Sequence, residues 1–453
     1  MIKCPCCGAE LSYDVGLEKV KCDYCGTTFN PKELETKVSK SKKVKTIDAT
    51  SYSCTQCGAT LLTFDETAVT FCSYCGSSAL IEDKMKETAP EYIIPFKITK
   101  EQAIAAYKKK IRSSLFVPSE MKKDEVISKF RGIYMPYAIF KAEYNGNCKN
   151  KGSKFYKSSG YYDYYNDYSI TADIDAKYDG LSYDLISKYY DKYSSSIPYN
   201  IKEAEPFNIN YVSGFYADAK DIDAKIYEKE ALEIMNKDAK EKLLNNKEMK
   251  EFGIEKPKVP LEITDKKVGL FPVYFLAVTN NNKKTVNYAV VNGQTGKVAM
   301  DLPIDFKKYL LSSLLLTVPL YLLLSLFIVL SAKAVVGYAM IISLISTIFI
   351  ISEVNKQKEY DDHTDDLGYQ SKNKNKKKKI RFGMLKVVKP IFGMFLCLSV
   401  FISDTIMDEL YYGAAFITLL LVLSSAFDLV KVHNKIMTNK LPQLEKRGGD
   451  ESE

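Results

Sequence analysis

The chain has 453 residues, 26% of them charged, with a net charge of +8 and 11 cysteines. That length allows two or three domains, and a charged fraction so near the average excludes a wholly disordered protein. The positive balance alone would suggest nucleic acid, but residues 1 to 89 sum to −1, the wrong sign for a phosphate-binding surface.

The N-terminal part carries the strongest pattern. Cys4, Cys7, Cys22 and Cys25 form two Cys-x2-Cys pairs with 14 residues between them, and Cys54, Cys57, Cys72 and Cys75 repeat the set 50 positions later. The same offset relates Gly8 to Gly58, Ala9 to Ala59, Leu11 to Leu61, Tyr24 to Tyr74 and Gly26 to Gly76, which makes the region an internal repeat. Two thiolates on one tight turn supply half a tetrahedron, and a second turn brought opposite by a hairpin completes it. The glycine after each pair suits a turn with positive φ. Two structural zinc ribbons are expected, at residues 1–30 and 51–89, each with all four positions on cysteine and none open for catalysis. Lys19-Val20-Lys21 and Ala68-Val69-Thr70-Phe71 read as strands leading into Cys22 and Cys72. Cys6 is off register and is taken as a non-ligand. A thioredoxin-type pair would come once and open a helix, and a disulfide framework would need an oxidising compartment, with no secretory signal expected ahead of Cys4. Each metallated cluster adds a further −2, which favours a protein partner over nucleic acid. Residues 31–50, rich in lysine, read as a flexible linker.

Residues 90–308 predict a mixed α+β domain rich in β. Thr99 with Gln102 marks the start of a helix running to about Arg112. Gly132 to Ala142 reads as a strand interrupted by Pro136. Tyr156, Tyr161, Tyr162, Tyr164, Tyr165 and Tyr168 fall within thirteen residues and are expected as half-buried phenols on strands and loops. A second helix is expected from about Ala224 to Met249. Gly269 to Thr279 and Val286 to Met300 read as paired strands with Asn280-Asn281-Asn282 as their turn. Gly293-Gln294-Thr295-Gly296-Lys297 lacks the spacing and the Ser or Thr of a phosphate loop and is a β-turn, so no nucleotide is expected there.

Four apolar runs follow. Tyr309 to Ser331 is 23 residues without a charge, roughly 34 Å as a helix against a bilayer core of about 30 Å. Ala334 to Ser352, Val387 to Ser403 and Tyr411 to Val430 follow, giving hairpins at 309–352 and 387–430. The loop 353–386 holds ten Lys or Arg residues and the tail 431–453 holds five, whereas Asp404 to Leu410 has three acids and no base. The positive-inside rule then puts both termini, the ribbons and the middle domain in the cytoplasm of a four-span protein. Lys372 to Arg381 forms a basic cluster beside the membrane, read equally as a lipid-headgroup contact and as a topology signal. Asp361 to Asp366 reads as a solvated acidic patch, and Asp428, near a span end, needs no ion-pathway role.

With the two ribbons, Ile94-Pro95-Phe96-Lys97, Gly132-Ile133-Tyr134-Met135-Pro136, Gly214-Phe215-Tyr216-Ala217 and Asn292-Gly293-Gln294-Thr295-Gly296-Lys297, the chain resembles a family of bacterial double-zinc-ribbon membrane proteins. These often carry a transcription-factor-IIB-type or primosomal-helicase-like zinc-ribbon label. The resemblance covers roughly residues 1 to 310 and implies zinc on the eight cysteines named above. It also implies association with band-7 (SPFH), TPM-domain or phage-shock-protein-A-like proteins in membrane stress. The expectation is a non-enzymatic adaptor in the bacterial cytoplasmic membrane, since His363 and His433 flank membrane spans and leave a triad without a base. Its alternatives are a membrane-tethered nucleic-acid-binding regulator and a channel or small-solute transporter component.

Overall fold

The computed structural model describes residues 3–34, 46–64, 69–189, 191–246, 250, 259–280, 284–325, 330–363, 376–403 and 407–440. The first ribbon is a three-stranded sheet of β1 (Leu11–Asp14), β2 (Lys19–Cys22) and β3 (Thr28–Phe29), with β1 and β2 antiparallel from Leu11 opposite Cys22 to Asp14 opposite Lys19. The second ribbon departs from this plan. Its strands β4 (Thr46–Cys54), β5 (Thr60–Thr63) and β6 (Leu80–Thr88) pair with one another around β4, and Val69 to Phe71 are not a strand.

Those three strands are the end of a twelve-stranded sheet rather than a separate module. Its other members are β7 (Tyr92–Ile93), β8 (Arg131–Ser159), β9 (Tyr162–Asp184), β10 (Glu205–Pro206), β11 (Tyr216–Asp218), β12 (Glu262–Asn280), β13 (Thr285–Asn292), β14 (Val298–Met300) and β15 (Asn439–Lys440). The order is β10-β7-β12-β8-β11-β5-β4-β6, with β9 on β8 and β13 on β12. β5 runs antiparallel to β11, with Ala217 opposite Leu62, and β11 runs parallel to β8. The ends of the expected linker 31–50 are corrected: Thr46 to Thr50 are strand, and Pro31 and Lys32 are held by the β domain. The remaining linker residues, 35–45, lie outside the described residues.

Pro136 does not interrupt β8. Its carbonyl accepts from the Leu185 amide, so its nitrogen faces the same edge, at the seam where the neighbour of β8 changes from β11 to β9. A proline there removes no ladder bond. Helix α1 (Lys100–Arg112) starts at Thr99 with both bonds of a capping box and buries Ala103, Tyr107 and Ile111, one face at i, i+4 and i+8. A 3-10 turn at Ala224–Tyr227 leads into α2 (Glu228–Asn245), which covers β8 and β9 through Ala231, Met235 and Ala239. β12 and β13 pair as expected from Val273 opposite Asn292 to Asn280 opposite Thr285; residues 281–283 of their turn lie outside the described residues. The tyrosine cluster sits on the distal part of the β8–β9 hairpin and is exposed, not half-buried.

Four C-terminal helices follow: α3 (Phe306–Ser325), α4 (Ala332–His363), α5 (Lys376–Ser403) and α6 (Asp408–Ile436). Three stretches among the described residues are long and apolar enough to cross a membrane: Ala332–Gln357, Lys386–Ser403 and Asp408–Ile436. The expected first span, Tyr309 to Ser331, begins in α3 but is not one of the three, and residues 326–329 lie outside the described residues. Apolar side chains such as Ile341, Ile345, Phe349, Leu419, Leu420 and Leu423 point away from the helix bundle. Inside it, Ser343 donates to the Pro390 carbonyl, Ser346 meets Ser425 at 2.9 Å, and Thr418 donates to the Gly393 carbonyl at 3.0 Å. A Cβ on Gly393 would stand 3.0 Å from Thr418, so the glycine sets the approach of α5 to α6. The loop 353–386 is helical up to His363 and again from Lys376; the acidic and basic clusters within it fall on side chains outside those described. The segment 431–453 is not all tail, since α6 continues to Ile436 and β15 joins the sheet.

Candidate metal centres

Each Cys-x2-Cys pair is built by the same local turn. The amide after the second cysteine donates back to the first cysteine's carbonyl: Gly8 to Cys4 at 2.8 Å, Gly26 to Cys22 at 2.9 Å, Gly58 to Cys54 at 2.8 Å and Gly76 to Cys72 at 3.0 Å. All four glycines take φ between +69° and +76°, the left-handed region that L side chains adopt only with strain.

The turns bring the thiols together in two groups. Cys4, Cys7, Cys22 and Cys25 have sulfurs within 4.8 Å of one another, and so do Cys54, Cys57, Cys72 and Cys75. Cys4 and Cys25 are 3.6 Å apart and Cys7 and Cys22 are 3.5 Å apart; the second group repeats these at 3.6 Å for Cys54 and Cys75 and 3.5 Å for Cys57 and Cys72. A tetrahedral ion with metal–sulfur bonds of about 2.3 Å separates its ligands by about 3.8 Å, so both groups fit one. Each could hold a metal ion; Cys6 is exposed and outside the first group.

The two sites differ in burial. Cys54, Cys57, Cys72 and Cys75 are all buried and pack with Ile133, Phe275 and Tyr288 of the β domain. In the first site Cys4 and Cys22 are buried, while Cys7 and Cys25 are exposed. Tyr74, between Cys72 and Cys75, is wholly buried and donates its hydroxyl hydrogen bond to Asp218 on β11. Burial pushes the Asp218 carboxyl up to about 8, and the hydrogen bond from Tyr74 opposes that shift. Arg131 at the start of β8 donates to the Phe71 carbonyl at 3.0 Å and to Thr70 at 3.1 Å, with its guanidinium 3.4 Å above the Phe71 ring. Lys188 donates to the Cys57 carbonyl, which places a cation beside the cluster.

The first ribbon docks by packing Leu11, Tyr13 and Val20 into the core with Tyr211 and Val212; the Tyr13 amide donates to the Ser213 carbonyl at 3.0 Å, and Tyr13 meets Tyr211 edge-on. Its Tyr24, the repeat counterpart of Tyr74, is 85% exposed. An open cleft of about 570 Å³ separates this ribbon from the domain, lined by Lys21, Asp23, Lys100, Arg131 and Phe215 among others.

The sequence stretches that carried the family resemblance meet behind the ribbons. Phe96 stacks on Phe215 at 4.4 Å and lies 5.0 Å from Tyr134. A Cβ on Gly132 would stand 2.7 Å from the Phe215 ring, and one on Gly293 would stand 2.5 Å from the Phe96 ring.

A second polar hub joins the domain to the last helix. Asp301 is buried and takes Lys192 at 2.9 Å, the Tyr193 hydroxyl at 2.7 Å, the Tyr288 amide at 2.9 Å and Asn439 at 3.0 Å. Burial pushes its carboxyl above the ordinary value, opposed first by the Lys192 ammonium. Around it, Asn434 exchanges bonds with the backbone of Ile304, Asn287 donates to the Met437 carbonyl at 2.6 Å, and His433 sits 3.0 Å from Glu353 and 3.2 Å from the Leu302 carbonyl. Sequence reading missed this joint because most of its partners are over a hundred residues apart; it likewise missed Asp218 and Lys188. Asp428, read as needing no ion pathway, lies 2.6 Å from Lys389 across the helix contact.

Fold and sites together define a class: a β-rich domain carrying two four-cysteine sites, followed by helices suited to a membrane. No family model matches the chain, and no solved structure matches it. Among curated proteins, the chain is 26% identical over 320 residues to "Uncharacterized protein YdjG" of Bacillus subtilis (strain 168), an alignment covering 67% of this chain and 90% of that protein.

Proposed function

We propose that the chain is a membrane-anchored, non-enzymatic adaptor whose zinc-loaded ribbons and β domain dock partner proteins at the inner leaflet of a bacterial cytoplasmic membrane. The observation that carries it is the unequal fate of one repeated residue. Tyr74 anchors the second ribbon to the sheet through Asp218, whereas Tyr24, in the same turn of the first ribbon, is exposed. The second ribbon spends its turn on holding itself to the domain; the first presents the equivalent aromatic, with Leu17 nearby in sequence, to solvent. Exposed aromatics on a rigid frame are the side chains that anchor protein interfaces. Zinc is the ion favoured by four thiolates in closed tetrahedral sites. The four-span arrangement with both termini cytoplasmic rests on the charge of the loops and on α3 serving as the first span. Partners of the band-7, TPM-domain or phage-shock-protein-A-like kind follow from the family resemblance alone.

The test is crosslinking capture of the full-length protein from native membranes, with and without nuclease, comparing the natural sequence with Tyr24→Ser and Leu17→Ser. Neither substitution touches a thiolate. Nuclease-resistant co-capture of membrane-associated proteins that falls at least about tenfold in the double variant supports docking through the first ribbon. Capture that vanishes with nuclease would mean that the membrane tethers a nucleic-acid-binding head instead.

A further inference from the structure

β8 and β9 leave the main sheet as a long two-stranded arm. The last residue of β8 paired with β12 is Glu143, opposite Glu262, yet β8 continues to Ser159, opposite Tyr162. Sixteen further residues at about 3.4 Å each make an arm of roughly 50 Å. Gly160, with φ +64°, opens the two-residue turn as such a hairpin requires. Helix α2 covers the base through Ile174, Ala176 and Tyr178. Beyond Ser153 both faces are exposed, including Phe155, Tyr162, Tyr164, Tyr165 and Tyr168, with Tyr161 at the tip fully so. Among the described residues, no strand pairs with the second edge of β9, nor with β8 past Glu143 on the edge facing away from β9. An isolated two-stranded ribbon is marginal in water, and open edges invite a further strand.

The charges say which strand fits. From Tyr144 to Ser159, β8 carries Lys149, Lys151, Lys154 and Lys157 and no acid; from Tyr162 to Ala176, β9 carries Asp163, Asp167, Asp173 and Asp175 and no base. Inside the arm the two sets do not stand directly opposite each other. The lysines face Thr171, Ser169, Asn166 and Tyr164, and the aspartates face Ser158, Ser153, Asn147 and Asn145. Pairing β8 with β8 of another copy, or β9 with β9, sets like charges across the seam, which is unfavourable. Pairing β9 of one copy with β8 of the next sets acid against base: Lys149 and Lys151 share the face of the four aspartates, while Lys154 and Lys157 lie on the tyrosine face. It also keeps the strands antiparallel while both arms point the same way, the relation of chains standing in one membrane.

We propose that this arm is a self-association element, in which the acidic β9 edge of one copy adds to the basic β8 edge of the next. The contact is head-to-tail, so it propagates around a ring of copies and closes when the rotation per copy divides a full turn. Tyr162, Tyr164 and Tyr168 share the face that runs into Ile170 and Ile174, giving the joined arms a common aromatic face.

The experiment uses the full chain in detergent, with mass from light scattering. The natural protein should run at a multiple of its 51.3 kDa chain mass. K149D/K151D/K154D/K157D makes both edges acidic, and D163K/D167K/D173K/D175K makes both basic. Each variant alone should fall to the single-chain mass, and mixing the two should restore a multiple, since acidic and basic arms can then alternate. Rescue on mixing separates lost association from lost folding, and circular dichroism of each variant checks the fold directly. A natural protein that stays a single chain at every concentration overturns the proposal, whether or not its tyrosines then take single-stranded DNA or another protein. So do variants that keep the natural mass, or folded variants that ignore each other when mixed.

Discussion

At Gly26 the backbone φ is +73° and nothing lies within 4 Å of where a Cβ would stand; at Gly293 no such φ applies, but a Cβ would meet the Phe96 ring at 2.5 Å and Pro272 at 2.8 Å. The two glycines are needed for different reasons, one conformational and one steric, and substitution should separate them. Gly26→Ala should cost about 1 kcal/mol, felt by the first ribbon, because an L side chain is strained in the left-handed region. Gly293→Ala must move a stacked aromatic ring inside a packed core, which costs about 1–3 kcal/mol. Denaturation of the two variants, followed by near-ultraviolet dichroism from the buried tyrosines, should show a shifted midpoint for Gly293→Ala and little change for Gly26→Ala. Equal shifts in that signal would remove the distinction.

At the scale of elements, the two ribbons share a cysteine pattern but not a structural role. The second is woven into the sheet through β5 and β11 and has four buried thiols, whereas the first rests on the domain with Cys7 and Cys25 exposed. A metal held there could be reached through those two exposed thiols, although Cys4 and Cys22 pack into the core, whereas one in the second site would leave only with local unfolding of β4, β5 and β11. Full-length protein carrying two metal equivalents should give up one to an added chelator at least about tenfold faster than the other. Cys22→Ser should abolish the fast phase and lower the domain's denaturation midpoint less than Cys72→Ser, which should abolish the slow phase. Simultaneous release, or a Cys72→Ser variant as stable as Cys22→Ser, would contradict the unequal docking. Spacing alone identified the eight cysteines, the positive φ of the four glycines and the capping box at Thr99, because each depends on residues a few positions apart. It did not distinguish the ribbons, since Tyr24 and Tyr74 are the same letter in the same turn. What differs is Asp218, which lies 144 residues beyond Tyr74. The long β8–β9 arm was equally hidden: tyrosine suits a strand buried or exposed, and exposure is decided by whether another element reaches that far.

For the whole molecule, the decisive joint is where the last helix returns to the sheet. β15 adds to β13 with Val286 opposite Asn439, and Asn439 is itself buried against Asp301 and Tyr193. The chain therefore closes on itself: the domain precedes the apolar helices in sequence, and the segment after them pins the domain to their base. The docking role proposed above would gain from this, because a domain hung on one strand of chain would swing, whereas one held at both ends keeps a fixed orientation relative to the helices. Asn439→Ala removes two hydrogen bonds from the hub and leaves buried acceptors short of a donor, a cost of about 1–3 kcal/mol. That cost is local to the joint, so the cysteine sites and α1 should keep their stability. Hydrogen exchange of the full chain in detergent should show protection falling at Thr285, Val286 and residues 437 to 440, with the amides of β4, β5 and α1 unchanged. Asp301→Asn should act in the same place and in the same direction, because it weakens the Lys192 pair while keeping the shape of the side chain. If protection near Val286 survives both substitutions, the β15 contact is dispensable and the joint rests on its other bonds, such as those of Asn434 with Ile304 and of His433 with Leu302.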